Sequence, residues 1–351
     1  MNNKKILVTG ATGYIGGRII PILIDRGYKV KTLVRNRKRI ENKSWYKNVE
    51  IHEGDILKKE TLSGLFNNID TAYYFIHSMA DSNDFDTSDI MAARIFSKFA
   101  NDGNVKKIIY LGGLANSESK LSKHLRSRLN TGSELRKSGL NIIEFRASVI
   151  VGSGSLSFEM IRNLSERIPV MICPKWVYTK TQPIAIDNLL DYLFGALKIN
   201  DNKNHIFEIG GKDILSYGDM IKQYSQIRKL SRLLIPIPLL TPRLSSYWVH
   251  WTTPLSSNIT KPLVEGLKNE SIVRKKNSAK YFNNISLLSY REAVSKALEN
   301  LQIGNVKTSW TDSLSSSSGS DDTVDLKSIQ GMIIERRKIN IDSETKSIYL
   351  F

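Results

Sequence analysis

Short apolar runs alternate with amphipathic stretches through the first 150 residues of this chain. Six runs have strand length: Lys5–Thr9, Lys29–Val34, Val49–His52, Thr71–Ile76, Lys107–Leu111 and Asn141–Phe145. Among the stretches between them, Asp86–Ala100 sets Ile90, Ala93, Ile95, Phe96 and Phe99 largely on one face at helical spacing. Strands and helices in this rhythm predict βαβ units with right-handed crossovers, hence an α/β fold built on a doubly wound parallel sheet. Sheets of this kind bind ligands beyond the carboxyl ends of their strands, where the strand order reverses.

From about Ser148 the rhythm loosens. Helices are expected near Phe158–Arg167, Asp187–Leu197 and Tyr217–Ile227, with a strand at His205–Ile209. Pro236, Pro238, Pro242 and Pro254 interrupt a Trp- and Leu-rich stretch, Leu233 to Leu255, which reads as irregular packed connections. The expected organisation is a nucleotide-binding core over residues 1–150 and a smaller substrate-side subdomain over 151–304. A polar Ser/Asp-rich linker over 305–325 and a partial C-terminal segment over 326–351 follow, with a strand at Gly331–Ile341.

Composition narrows the classes. The 351 residues carry 41% hydrophobic and 24% charged residues, enough for a sizeable core. A net charge of +17 suits phosphates, nucleic acid or an anionic membrane surface, or else a solvated basic exterior. The basic residues are scattered and no zinc-finger or aromatic RNA-binding pattern accompanies them, so nucleic acid is not an expected partner. Cys173 is the single cysteine, which excludes an internal disulfide and fits a reducing compartment. With no signal-peptide pattern and no uninterrupted apolar run of membrane length, a cytoplasmic protein is expected, and the sequons at Asn258 and Asn284 read as chance.

The first chemical motif lies at the start. Lys5–Thr9 leads into Gly10-Ala-Thr12-Gly13-Tyr14-Ile15-Gly16 and then a helix, with a local kink expected at Pro21 inside it. Gly10 serves the tight turn, Gly13 the close approach of a pyrophosphate and Gly16 the packing of helix on strand, as in a Rossmann-type fold. The helix start adds unpaired N–H groups and the positive end of its dipole. The second strand ends Val34-Arg35-Asn36-Arg37, without the acid that usually binds a ribose 2′-hydroxyl. Arg35 can pair with a 2′-phosphate, so NADP(H) is the expected cofactor ahead of NAD(H), although the basic loop also reads as a solvated one. Asp55 and Ile56 follow the third strand and His77 and Ser78 the fourth, positions suited to adenine and its ribose or simply to turns.

Thr9–Gly16, Gly54-Asp55 and Tyr73–Ser78 together resemble the atypical short-chain dehydrogenase/reductases, in the NmrA-like branch that also resembles the complex I 39 kDa subunit. Gln182–Asp187 and Ile206–Gly211 resemble the second half of those folds, and Lys307–Phe351 resembles the opening of a START-like module of the DUF2867 type, cut short. The resemblance implies a Ser and a Tyr-x-x-x-Lys as catalytic groups. In their slots stand Gly112-Gly113 and the pair His124 and Arg128, which share a helix face and read as a proton-exchanging imidazole with a ribose-holding guanidinium, or as surface residues. Arg146–Val149 is the loop turned toward the nicotinamide in related folds, with Gly152–Ser155 as a flexible rim. No metal-ligand spacing and no P-loop occur. The expected activity is an NADP(H)-dependent oxidoreductase acting on a small carbonyl or alkene; the alternative is a non-catalytic dinucleotide sensor that regulates or assembles a protein partner.

Overall fold

The computed structural model describes residues 4–77, 85–115, 121–237, 265–302, 308–309, 323–329 and 332–338. Strands β1 (Lys5–Thr9), β2 (Lys29–Val34), β3 (Val49–Glu53), β4 (Thr71–Tyr74), β5 (Lys107–Gly113) and β6 (Asn141–Ala147) come first. Helix α1 (Gly16–Asp25) follows β1, α2 (Phe85–Asp102) follows β4 and α3 (Lys123–Arg136) follows β5. Next come β7 (Ile150–Val151), α4 (Leu156–Arg167), β8 (Val170–Pro174), β9 (Lys180–Thr181), β10 (Ile184–Ala185) and α5 (Ile186–Gly195). The later elements are β11 (His205–Ile209), β12 (Leu215–Ser216), α6 (Tyr217–Ile227), β13 (Leu233–Ile237), α7 (Tyr290–Gln302), β14 (Thr323–Ile329) and β15 (Met332–Lys338).

Seven of these strands make one parallel sheet in the order β11-β6-β5-β4-β1-β2-β3. The order reverses between β1 and β4, which places the ligand crevice above that pair. Strand β1 is paired on both sides and covered on both faces. Its Ile6, Leu7 and Val8 are therefore all buried, which explains an apolar run without alternation. One sheet face packs Ile6, Val8, Ile109 and Ile143 against α1 and α5 through Ile19, Leu23, Leu189 and Leu193. The other face packs Leu7, Tyr74, Ile108 and Tyr110 against α2 through Ala93, Phe96 and Ala100.

A third core joins Phe158 and Ile161 of α4, Met220 and Tyr224 of α6 and Val294 and Ala297 of α7. This is the smaller subdomain. Its chain is interleaved with the sheet, because β11 and α5, both beyond residue 150, complete the main core with Phe207 and Leu189. Lys107 of β5 joins the two stretches. Its ammonium, 5% exposed, donates to the carbonyls of Ala196, Leu197 and Ile199, just beyond the end of α5. Burial lowers its pKa to about 8.

Observed bounds of β1, β2, β11 and α6 coincide with the expected ones, while β5 and β6 run two residues further. At Leu233–Ile237 the expectation of an irregular connection is corrected: these residues form β13, paired parallel with β8. Among the described residues β13 has β8 as its one neighbour, and such a strand need not donate from every residue, so Pro236 is tolerated. Residues 238–264 lie outside the described ones. Near the C-terminus, β14 begins at Thr323, inside the stretch expected to be linker, and pairs antiparallel with β15. The alternation in Thr323-Val-Asp-Leu-Lys, with period 2, is the signal for that strand.

Candidate dinucleotide site and the polar chain beside it

The glycine loop has the geometry its spacing requires. Gly10 adopts φ +67°, and a Cβ there would stand 2.7 Å from the Phe75 carbonyl oxygen. A Cβ on Gly16 would overlap the Gly10 carbonyl, which the Gly13 N–H already uses at 2.9 Å. Thr9 binds the two central strands together beneath the loop: its Oγ1 donates to Tyr73 O at 3.0 Å and accepts from Phe75 N–H at 3.1 Å. Helix α1 starts at Gly16 with no side-chain cap; Gly17 N–H donates to Gly13 O at 3.0 Å and Arg18 N–H to Ile15 O at 3.1 Å, and the helix start directs the positive end of its dipole toward the loop. Among the other loop residues, Ile15 packs against the core and Tyr14 lies under Arg18, whose guanidinium carbon is 4.6 Å from the ring centre. The Tyr14 hydroxyl is buried against Gly152, and burial raises its pKa far above the ordinary value. Thr12 is half-buried in the loop itself.

Arg35 is exposed immediately after β2, and the Asn36 side chain behind it caps a short turn by accepting from Lys38 N–H at 2.9 Å. Asp55 works as a turn former: its Oδ1 accepts from Leu57 N–H and its own N–H donates to Thr61 Oγ1, each at 3.0 Å. Ile56 is buried in the core on the α2 side of the sheet. Ser78 lies outside the described residues.

His77 and His124 meet, although 47 positions separate them. Nε2 of His77 is 3.1 Å from Nδ1 of His124, with ring centres 4.9 Å apart. Nδ1 of His77 is 2.8 Å from Oδ2 of Asp89, which also accepts from Ser127 Oγ at 2.9 Å. Burial, with Asp89 opposing it, lowers the pKa of His77; burial, then His77 and Arg128, lowers that of His124 further. Sequence reasoning missed Asp89 and Ser127. Asp89 lies among Asp81, Asp84 and Asp86, so its neighbourhood in the sequence is polar. The signal that distinguishes it is spacing, since Asp89 shares the apolar stripe of Ala93 and Phe96.

Arg128 is engaged with β5. Its guanidinium donates to Leu111 O and sits 5.0 Å from the Tyr110 ring centre, while the Tyr110 hydroxyl donates to Arg128 O at 2.7 Å. A Cβ at Gly113 would come within 2.9 Å of the Leu125 side chain, which packs beside Arg128. Below, Glu144 is fully buried between Arg136 and Arg146, and Ser148 shares hydrogen bonds with Thr181 and Ser271. The expectation of a flexible rim at Gly152–Ser155 is corrected. Ser153 and Ser155 are buried, Arg18 donates to Ser153 O at 2.7 Å, and Ser155 caps α4. Among the described residues no cluster of three or more metal-ligating side chains occurs, and no helix is long and apolar enough to cross a membrane.

Comparison with known proteins agrees with this architecture. Residues 2–153 match the NmrA-like family. The photosystem II assembly factor Ycf39 of Cyanophora paradoxa is 25% identical over 67% of this chain and 72% of its own length. A nucleoside-diphosphate-sugar epimerase from Staphylococcus aureus superposes with a TM-score of 0.67 at 15% identity, covering 83% of this chain and 99% of that one. The triphenylmethane reductase of Citrobacter sp., in its complex with NADP(H), superposes at 0.65 with 20% identity, covering 84% and 100%. Residues 2–153 are thus similar to the NmrA-like family, and the chain has the Rossmann-type fold of these epimerase and reductase structures.

Proposed function

We propose that this protein binds NADP(H) at the glycine loop and is an oxidoreductase acting on a small carbonyl or alkene substrate. The observation that carries the binding half is the loop itself: a Cβ at Gly10 or Gly16 would strike backbone, and α1 starts there uncapped. Gly10, Thr12, Gly13, Tyr14, Ile15 and Gly16 would hold the pyrophosphate, and Arg35 the 2′-phosphate. A bound nicotinamide supplies or takes the hydride. The chain's own part is to orient the dinucleotide and to move a proton at His124, the imidazole in the slot of the usual Tyr. Arg128, held on Leu111 O, sets a positive charge near the ring that favours its neutral form.

A second reading has its own support. The Ycf39 relative is called an assembly factor, and the usual Ser and Tyr are absent here. In that reading the occupied dinucleotide site stabilises a surface that a protein partner recognises.

Fluorescence titration with NADPH and NADH, followed by absorbance assays on carbonyl and enone panels, separates the two. Tighter NADPH binding, weakened about tenfold in Arg35→Ala with NADH binding unchanged, is expected from the loss of one charge-assisted pair. Equal affinity for both dinucleotides, or an Arg35→Ala chain that binds NADPH normally, refutes the cofactor assignment. Binding without any turnover, unchanged in His124→Ala, favours the assembly reading.

A further inference from the structure

The hydrogen-bond chain behind His124 can be assigned donor by donor. Asp89 is 2% exposed, and its Oδ2 accepts from Ser127 Oγ at 2.9 Å while standing 2.8 Å from His77 Nδ1. A carboxylate offers acceptors only, so the proton in the second contact belongs to His77 Nδ1. Burial keeps His77 neutral, which leaves its Nε2 with a lone pair. The proton in the 3.1 Å contact between the rings then belongs to His124 Nδ1. A neutral His124 with its proton on Nδ1 has its lone pair on Nε2.

We propose that Asp89 and His77 are positioning residues that hold His124 in the Nδ1–H tautomer and make Nε2 the one atom through which it takes or gives a proton. The inference rests on the proton role assigned to His124 above. It adds what sets the ring's orientation and which nitrogen faces the chemistry. A proton can join or leave Nε2 with every bond in the chain intact. His124 donates from Nδ1 in both states, His77 accepts in both, and the Asp89 charge balances the imidazolium that forms. Among the described residues, the charged and titratable groups facing His124 are His77, Asp89 and Arg128. Of these, Asp89 alone favours the protonated ring. Ser127 holds the carboxylate from the same helix that carries His124, so the two ends of the chain are fixed relative to each other.

Long-range ¹⁵N–¹H correlation spectra of the full chain, with its histidines ¹⁵N-labelled, test this at neutral pH. The wild-type protein is expected to show His124 protonated on Nδ1 and unprotonated on Nε2. In Asp89→Asn the amide can donate as well as accept, so His124 is expected to lose that single tautomer, and Asp89→Glu to recover it. A wild-type His124 protonated on Nε2 overturns the proposal, as does an Asp89→Asn spectrum identical to wild type. The wild-type spectrum decides on its own if Asp89→Asn does not fold. In the turnover assay, Asp89→Asn is expected to lower kcat roughly a hundredfold with KM little changed, and to move the pH profile. An unchanged profile in an active enzyme overturns the proposal. The expected tautomers without turnover in any variant support the positioning and reject the oxidoreductase reading, so the two failures are distinct.

Discussion

At the scale of single residues, space decides more than chemistry. Gly10, Gly13 and Gly16 were legible in the sequence because one spacing satisfies a positive φ, a tight turn and a close helix at once. Gly16 offers the sharpest test. An added methyl would overlap the Gly10 carbonyl, which cannot swing aside because the Gly13 N–H is bonded to it. Gly16→Ala is expected to destabilise the protein by about 1–3 kcal/mol in urea unfolding. It is also expected to weaken NADPH binding more than tenfold by calorimetry, since the displaced loop carries the N–H groups. Full NADPH affinity in Gly16→Ala would mean that the loop is not the phosphate cradle. Asp55 shows that a chain-local bond can be read at the same scale: the sequence allowed an adenine contact or a turn, and its Oδ1 accepts from Leu57 N–H within a turn.

At the scale of elements, the informative meeting is between α2, α3 and the end of β4. Asp89 sits on α2, His124 on α3 and His77 in the loop after β4, and no local pattern announces that they touch. Packing of α2 and α3 on the same sheet face brings them together, and desolvation then makes their protonation costly. Both imidazoles have folded-state pKa values below the ordinary 6.5, so the unfolded chain takes up their protons first as the pH falls. Their neutral burial therefore contributes fully above about pH 6.5, and stability declines as the pH drops below it. Thermal unfolding followed between neutral and acid pH should show this decline, shallower in His124→Gln, which cannot protonate. A slope identical in the two proteins would mean that His124 is not desolvated.

For the whole molecule, the question is what counts as the folding unit. The stretch matching the NmrA-like family ends at residue 153, yet the main core takes Leu189, Leu193 and Phe207 from beyond it. Phe145 packs against Phe207 and Phe282 with ring centres 5.6 Å from each, so an isolated N-terminal half would leave a large aromatic face in water. A fragment of residues 1–153 is therefore expected to lack a cooperative thermal transition and to bind the hydrophobic dye ANS, while the full chain unfolds cooperatively. A cooperatively melting fragment would mean that β6 alone closes the sheet edge.

The sequence by itself determined the parallel sheet, the glycine loop and the bounds of several strands. Each depends on neighbours in the chain: apolar runs of strand length, a fixed glycine spacing and helical periodicity. Only the tertiary structure decided that β11 and α5 belong to the first core, that Gly152–Ser155 is buried, and that Arg128 is spent on Leu111 O. It also decided that His124 has Asp89 and His77 behind it. Those outcomes depend on which surfaces exclude water together, and residues on separate elements carry no shared period from which that pairing could be read.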